Sequence, residues 1–590
     1  SAVVSFAVDD VTVNLIDTPG HPDFIAEVER ILSVLDGAVL VISAVEGVQS
    51  QTRVLMRALG RLQIPTLLFV NKVDRMGADC ERVLNEISER LTRATVAMAS
   101  VAGQGTRAAV VRAHPDGDLV DALAEHDDAL LAAYLDDETS VSSARLRDTL
   151  AVLTKQALVH PAFFGSALTG AGVDSVMAGL AELLARDPGD PDGSVSGMVF
   201  KIERGSAGGK VAYVRMFSGT VHVRDRLGFG REREQKVTAI SVFDDGTAVQ
   251  RPSVSAGEIA KLSGLGEIQI GDSIGAAPGP AMADEFPPPT LESVVVASKS
   301  DERARLRVAL EQLAEQDPLI NVRQDDGRRE IAVSLYGEVQ KEVIQATLAS
   351  DYGIDVTFRE TTPICVERPV GTGEAVENLH AESNPFLAAM GLRVDPTPYG
   401  SGVEFRVQVD SRTVPLYIYK TLESFTEHMD QYVREALREG SFGWQVTDCV
   451  VTMTRCVYSV PDGPPSRRGP LSTAADFRKL TPLVLRQALE RAGTVVCEPT
   501  VRVSLEVPTD TVGAVMPALA RLGAAVETPS LQGELSTIGG MLSAALADDL
   551  QQQLPALTRG EGVLESSFAG YQPVNGDQPT RATRRGGPIG

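Results

Sequence analysis

Apolar residues at Val3, Phe6, Val11, Val13 and Leu15 alternate with polar ones on either side of Asp9-Asp10. That period of two predicts a pair of strands joined by a tight turn. Short, nearly continuous apolar runs then recur at 38–43, 66–70 and 162–166. Between the runs, residues 24–35, 51–62 and 79–91 space their apolar positions as helices do. Strands alternating with helices predict a mostly parallel sheet covered on both faces, over residues 1–186. The stretch RDPGDPDGS (186–194) interrupts this pattern and reads as a linker.

The rhythm changes from 195 to 277. Alternating runs at 199–202, 211–217 and 235–240 are separated by glycines at 205, 208, 209, 219, 228, 230, 246 and 257. This predicts a small all-β domain, a barrel. A stiff linker, APGPAMADEFPPPT, follows. Residues 291–365 read as a split β-α-β sandwich, with strands at 291–297 and 331–335 and helices at 301–316 and 340–352. Residues 366–497 mix strands (403–409, 445–458) with helices (422–439, 474–492). A second split β-α-β unit is predicted over 498–572, with helices near 511–522 and 543–550. After that, residues 573–590 are rich in Gly, Pro, Arg and Thr, and a flexible tail is expected.

At 590 residues the chain is too long for one core and fits a multidomain α/β and α+β protein. Its 43% hydrophobic and 23% charged content excludes wholesale disorder. No apolar run approaches the roughly 18 residues of a membrane span, and no signal-peptide pattern opens the chain. Five cysteines (Cys80, Cys365, Cys449, Cys456, Cys497) lack C-x-x-C spacing, so a disulfide framework or zinc site is not expected. The net charge of −24 argues against a generic nucleic-acid coat, yet leaves room for a large RNA met through local basic patches.

Three motifs carry candidate chemistry, each at the end of a predicted strand. In NLIDTPGH (14–21), Asp17 could hold Mg²⁺ through water, with Thr18 and Pro19 turning the chain. Gly20 leaves a backbone N–H free to approach a γ-phosphate, and His21 could orient an attacking water. In FVNKVDRMG (69–77), Asn71 and Asp74 fit guanine recognition. The Asp74 carboxylate can accept both the ring N–H and the exocyclic amine, a pair adenine does not offer. Lys72 can lay its stem along the base. In FFGSALTGAGVD (163–174), Ser166-Ala167-Leu168 could present a backbone N–H to the guanine carbonyl. Ligands of such sheets bind at the carboxyl ends of the strands, so the three together point to a guanine nucleotide. A plain turn remains the bland reading of each motif alone. No G-x-x-x-x-G-K-[ST] occurs, and Gly208-Gly209-Lys210 reads as a hairpin turn. Since the chain opens on Ser1 in mid-sheet, a missing N-terminal piece with the phosphate loop is the expectation, and a degenerate GTPase the alternative.

DTPGH, DFIAEVERILSVLDGAVLVISAVEGVQSQTR and NKVDRMG resemble the GTPase domain of elongation-factor-G-like translational GTPases. The order GTPase, β-barrel, split sandwich, fourth domain, split sandwich resembles that class over nearly the whole chain. Residues 447–499 are similar to the fourth domain of tetracycline-resistance ribosomal protection proteins of the Tet(M) and oxytetracycline-resistance type. In that branch Tyr-Ser-Pro-Val-Ser-Thr precedes Ala-Asp-Phe. Here Tyr458-Ser459 and Ser472-Thr473 flank an inserted VPDGPPSRRGPL. Ala520-Arg521-Leu522-Gly523 departs from the Arg-Arg-Gly usual in translocases, and the C-terminal helix usual in protection proteins is not evident in RATRRGGPIG.

The resemblance implies a P-loop GTPase-type fold with a translation-factor barrel, and GTP and Mg²⁺ as cofactors. It implies a cytoplasmic monomer whose partner is the 70S ribosome, rRNA and proteins alike, with neither membrane nor DNA. It implies that loops of the fourth domain reach the decoding region of the small subunit and dislodge tetracycline. Hydrolysis at the residue matching His21 then allows release. Residues 455–479 carry a net charge of +3, with Arg467 and Arg468 in the inserted loop, which suits rRNA phosphates. An elongation factor G-type translocase is the alternative, and a non-hydrolysing ribosome-binding protein a further one.

Overall fold

A computed structural model gives the architecture. It describes residues 2–18, 31–114, 141–205, 208–230, 233–244, 246–276, 289–317, 320–325, 330–459, 471–532 and 534–581, with residues 28, 119, 120, 123, 127, 130–132 and 134. The chain forms two compact units, residues 1–286 with 310–318, and residues 287–309 with 319–590.

The first unit opens on a hairpin of β1 (Ala2–Val8) and β2 (Val11–Asp17), in register from Val8↔Val11 to Ala2↔Asp17. Asp9 turns it with φ +49°, a conformation Asp tolerates better than most residues. A four-stranded parallel sheet follows, built from β3 (Ala38–Ser43), β4 (Thr66–Asn71), β5 (Thr95–Ala97) and β6 (His160–Phe164) in the order β3-β4-β6-β5. Helices α1 (Ser50–Arg61) and α2 (Cys80–Arg90) join its strands. The carboxylate of Asp79 accepts the Arg82 N–H at 3.0 Å and so starts α2. Strand β4 is buried on both sides, as a central parallel strand must be. Leu68 and Val70 pack with Met56, Val83 and Ile87, whereas Leu67 and Phe69 pack with Leu146, Leu150 and Phe163.

One expectation is corrected here. Strand β2 was expected in the parallel sheet, but among the described residues it pairs only with β1. The hairpin's Val3 and Ile16 find their apolar cover on Phe200, Tyr213 and Phe243 of the β domain instead. Its Ser5 carbonyl accepts the Gly246 N–H at 2.8 Å. Half of the predicted helix at 24–35 lies outside the described residues.

The β domain forms an eight-stranded sheet whose core holds Val199, Ile202, Val214, Met216 and Leu262. Gly208-Gly209-Lys210 belongs to the turn between Ser196–Arg204 and Lys210–Ser218, where the Gly205 N–H reaches the Gly209 carbonyl at 2.9 Å.

The second unit begins with an antiparallel sheet in the order Val322–Asp325, Glu330–Leu335, Leu291–Ala297, Val356–Phe358. Next, β7 (Ala388–Pro396) and β8 (Cys449–Tyr458) pair antiparallel. Val403–Val407 runs parallel to β8. Helices α3 (Leu422–Ala436) and α4 (Ala474–Ala492) bury Phe425, Met429, Phe477 and Leu480 in the same core as Met390 and Met453. The last sheet is organised by β9 (Thr494–Pro508), which pairs with Leu535–Ser543 and Val563–Pro573.

Three sequence expectations shift in this unit. The single strand expected at 445–458 is two. Gln445–Val446 pairs with Val366–Pro369, whereas β8 belongs to the neighbouring sheet. Asp448, at φ +54°, makes the break between them. The boundary expected at 497/498 falls inside the continuous strand β9. The flexible tail expected from 573 is held as far as Arg581, whose N–H donates to the Phe442 carbonyl at 2.8 Å. Residues 582–590 lie outside the described residues.

Candidate guanine-nucleotide site and fourth-domain loop

Strands β4 and β6 are adjacent and parallel, so their carboxyl ends deliver Asn71 and Ser166 to one sheet edge. Asn71 is the linchpin of that edge. Its side-chain oxygen accepts the N–H of Lys72 at 2.7 Å and the N–H of Ala167 at 3.0 Å. The Gly165 carbonyl returns the link by accepting the Val73 N–H at 3.2 Å. Gly165 cannot carry a Cβ, which would sit 2.5 Å from the Ala171 carbonyl and 2.8 Å from the Phe69 ring.

Ser166 is fully buried. Its hydroxyl accepts the N–H groups of Leu168 at 3.2 Å and Thr169 at 3.1 Å, folding the loop into a tight turn. Leu168 is left exposed. Lys72 holds a φ of +67°, and its ammonium pairs with Glu46 at 3.1 Å. The hydrogen bond from Lys72 holds the Glu46 carboxyl below its ordinary value, although Glu46 lies at the surface. No protein group among the described residues takes the half-buried Asp74 carboxylate. An edge with a shaped loop, an aliphatic stem and an available carboxylate can read a purine carrying adjacent N–H and NH₂ donors.

Asp17 ends β2 and Thr18 follows it, both exposed, and among the described residues their hairpin shares no ladder with the sheet carrying Asn71. Pro19, Gly20 and His21 lie outside the described residues. Among the described residues no group of three or more His, Cys, Asp or Glu gathers as a metal cage. A single exposed carboxylate is compatible with the water-rich coordination of Mg²⁺, but it does not make a site by itself.

In the second unit, β8 ends at Tyr458 and α4 starts after Thr473, with Ser459 and Ser472 between them closing the neck of a loop. The Ser459 N–H donates to the Ser472 hydroxyl at 2.7 Å, and the Ser472 N–H to the Ser459 carbonyl at 3.3 Å. The Ser472 hydroxyl also donates to the Leu387 carbonyl. Ser472, a candidate residue of the drug-site loop, is thus 2% exposed and committed to backbone groups. Thr473 likewise serves α4, its N–H and hydroxyl each lying 2.7 Å from the Asp476 carboxylate. Burial pushes the Asp476 carboxyl up, but hydrogen bonds from Thr473 and Leu387 outweigh it and hold it below its ordinary value. Arg467 and Arg468 lie outside the described residues.

With both sites described, the chain's relatives can be stated. Residues 1–186 match the family model Elongation factor Tu GTP binding domain, and residues 194–277 match Elongation factor G domain 2. Residues 286–360, 355–493 and 495–582 match Elongation Factor G domain III, domain IV and C-terminus. The chain is 44% identical to the oxytetracycline resistance protein of Streptomyces rimosus, over 99% of its own length and 89% of that protein. It is 42% identical to the tetracycline resistance protein TetM of Streptomyces lividans, over 100% and 91%. The chain belongs to the tetracycline-resistance protein family.

This family places the chain among elongation-factor-G-like translational GTPases, which bind guanine nucleotide. The tetracycline resistance protein TetP of Clostridium perfringens is a more distant member at 33% identity, over 98% of this chain and 87% of that one. A crystal structure from Thermus thermophilus shares the fold at TM-score 0.61 and 21% identity, over 97% of this chain and 88% of that one. Among the described residues no helix is long and apolar enough to cross a membrane.

Sequence reasoning missed two residues at these sites. Glu46 lies in a turn 26 positions before its partner Lys72, and nothing in the spacing marks the pair. Tyr417, whose hydroxyl donates to the Ser472 carbonyl at 2.8 Å, sits 55 positions away on another element.

Proposed function

We propose that this protein is a ribosome-dependent GTPase that binds the 70S ribosome as a cytoplasmic monomer and dislodges tetracycline from the small-subunit decoding region. The observation that carries this reading is near-complete coverage of two resistance proteins at 42–44% identity. The crossed Asn71–Ala167 edge supports the nucleotide half, with Asp74 as the group that selects guanine, Lys72 flanking the base, and Ala167 and Leu168 offering N–H donors to its carbonyl. Thr18, Pro19 and Gly20 would border the γ-phosphate, and His21 would align the attacking water in the ribosome-bound state. Asp17 would hold Mg²⁺ through water, which requires β2 to reach the sheet edge. Mg²⁺, when bound, supplies charge neutralisation on the phosphates. These last roles rest on the DTPGH motif.

In this reading Tyr458 and Ser459 begin the element that meets the drug site, and Arg467 and Arg468 contact rRNA phosphates. Ser472 and Thr473 fix its return. No observation favours the translocase. The test is in vitro translation with tetracycline, adding the full-length protein and GTP. Rescue that stops after one round with a non-hydrolysable analogue is expected. Failure to rescue, with translocation activity in a factor-depleted system, would replace this reading by the translocase.

A further inference from the structure

Tyr417 lies on the short helix Leu416–Tyr419, which leads into α3. Its neighbour Tyr419 is 4% exposed and packs its ring against Phe425 at 5.2 Å and Phe477 at 6.2 Å. The helix is therefore anchored on both α3 and α4. From that anchor Tyr417 points the other way and stays half exposed. Two of its contacts bear on the loop. Its hydroxyl donates to the Ser472 carbonyl at 2.8 Å. Its ring meets the Tyr458 ring at 5.6 Å between centroids, tilted by 55°. Tyr458 is the last residue of β8, and Ser472 is the residue from which the chain re-enters α4. One side chain on a rigid base thus grips both ends of the loop.

The serine neck sets how far apart the two ends lie. It does not set the rotamer of Tyr458, whose ring has no other aromatic neighbour among the described residues. A half-buried ring at a strand end loses rotamer freedom when it docks, and an element that docks already ordered avoids that cost at the moment of binding. The offset, tilted contact with Tyr417 is of the kind that favours one ring orientation.

We infer that Tyr417 is a positioning residue for drug release: its ring holds Tyr458 in the orientation that enters the tetracycline site, without touching nucleotide. The inference rests on the proposed function of the loop. It predicts a defect in the release step that leaves ribosome affinity intact.

The test is release of tetracycline from 70S ribosomes, followed by drug fluorescence, with GTP turnover and ribosome binding measured in parallel on the full-length protein. Tyr417→Ala should slow maximal release about 3- to 10-fold, the range expected from losing an aromatic pair. The concentration for half-maximal ribosome binding and the GTP turnover should stay within about twofold. Tyr417→Phe, which keeps the ring and leaves no cavity, should release drug closer to the wild-type rate. The double variant Tyr417→Ala with Tyr458→Ala should be no slower than Tyr458→Ala alone, because the two residues act as one unit. A general weakening of the domain would instead give additive losses. Additive losses, normal release by Tyr417→Ala, or a Phe variant as slow as the Ala variant would each overturn the inference. Normal release by Tyr458→Ala would overturn the reading of the loop itself, and the inference with it.

Discussion

The side-chain oxygen of Asn71 accepts the backbone N–H of Ala167 at 3.0 Å, across 96 positions of sequence. This bond joins the loop that carries Lys72 and Asp74 to the loop that carries Ser166 and Leu168. It aligns the two loops in the absence of ligand, which is what the proposed selectivity for one base requires.

Asn71→Ala removes the acceptor for two backbone N–H groups at once. At about 1 kcal/mol for each hydrogen bond, guanine-nucleotide affinity should fall by roughly tenfold or more. Titration with a fluorescent GDP analogue checks this. Thermal unfolding of the first unit should move little, because Leu67, Leu68 and Val70 keep β4 in place. Unchanged affinity would mean that the Val73–Gly165 bond aligns the loops unaided.

A second prediction concerns Asp448, which divides what reads as one strand. Its carboxylate is 2.8 Å from Arg368 Nε and 3.0 Å from the Gly402 N–H, and both ion-pair partners are buried. The Arg368 guanidinium also lies 3.5 Å over the Tyr399 ring. Asp448→Ala would leave a buried guanidinium without its counter-charge, at a cost of about 3–5 kcal/mol. Denaturant unfolding should show the loss in the second unit. Replacing Arg368 and Asp448 together by apolar residues should cost much less.

What was legible in the sequence follows from what is local. The parallel strands, the linkers and the three motifs announce themselves within ten residues, because burial on both faces and turn chemistry leave local patterns. The long-range partners of Asn71, Ser472 and Asp448 lie between 13 and 96 positions away, and no local period encodes them. Residues 445–458 misled for a related reason. Alternation marks an extended chain, but it does not say that Asp448 turns it from one sheet to the next. Val11 to Asp17 did form a strand, yet its apolar face is covered by Phe200 and Tyr213 of the β domain, a choice made by packing alone. The family resemblance rested on the motifs and domain order, both local, and the comparisons bear it out.

Burial holds His160 below its ordinary pKa, although its contact with the Thr66 carbonyl at 3.3 Å pulls the other way. The unfolded chain then takes up a proton before the folded one does. Stability from this residue is therefore complete above the unfolded value of about 6.5 and is lost as pH falls toward the folded value. Unfolding free energies measured between pH 8 and pH 5 should decline for the wild type and decline less for His160→Phe. Parallel profiles would remove His160 as a source of the pH dependence.

Trp444 offers a direct view of the C-terminal segment, since it is the chain's single tryptophan. Its indole N–H donates to the Pro579 carbonyl at 2.7 Å, and the Arg581 guanidinium covers its ring at 3.8 Å. Arg581 also pairs with Glu292, and the Gln578 side chain accepts the Val496 N–H at 2.7 Å. Three residues near the end of the chain thus tie together three stretches that are remote in sequence. A cation held over a desolvated indole contributes about 2 kcal/mol. Arg581→Ala should therefore lower the stability of the second unit by roughly that amount, and Glu292 keeps a second cation in Arg323 at 3.5 Å, which limits the loss. Ending the chain at Asp577 should do more, because it also frees the indole N–H and the Val496 N–H. Water would then reach an indole that is now 5% exposed, and its emission should shift to the red. Arg581→Lys separates the causes. It preserves charge but not the flat guanidinium that stacks on the ring. A Lys variant with full stability and unshifted emission would assign the contribution to charge alone, and equal losses in the Lys and Ala variants would assign it to the stacked geometry.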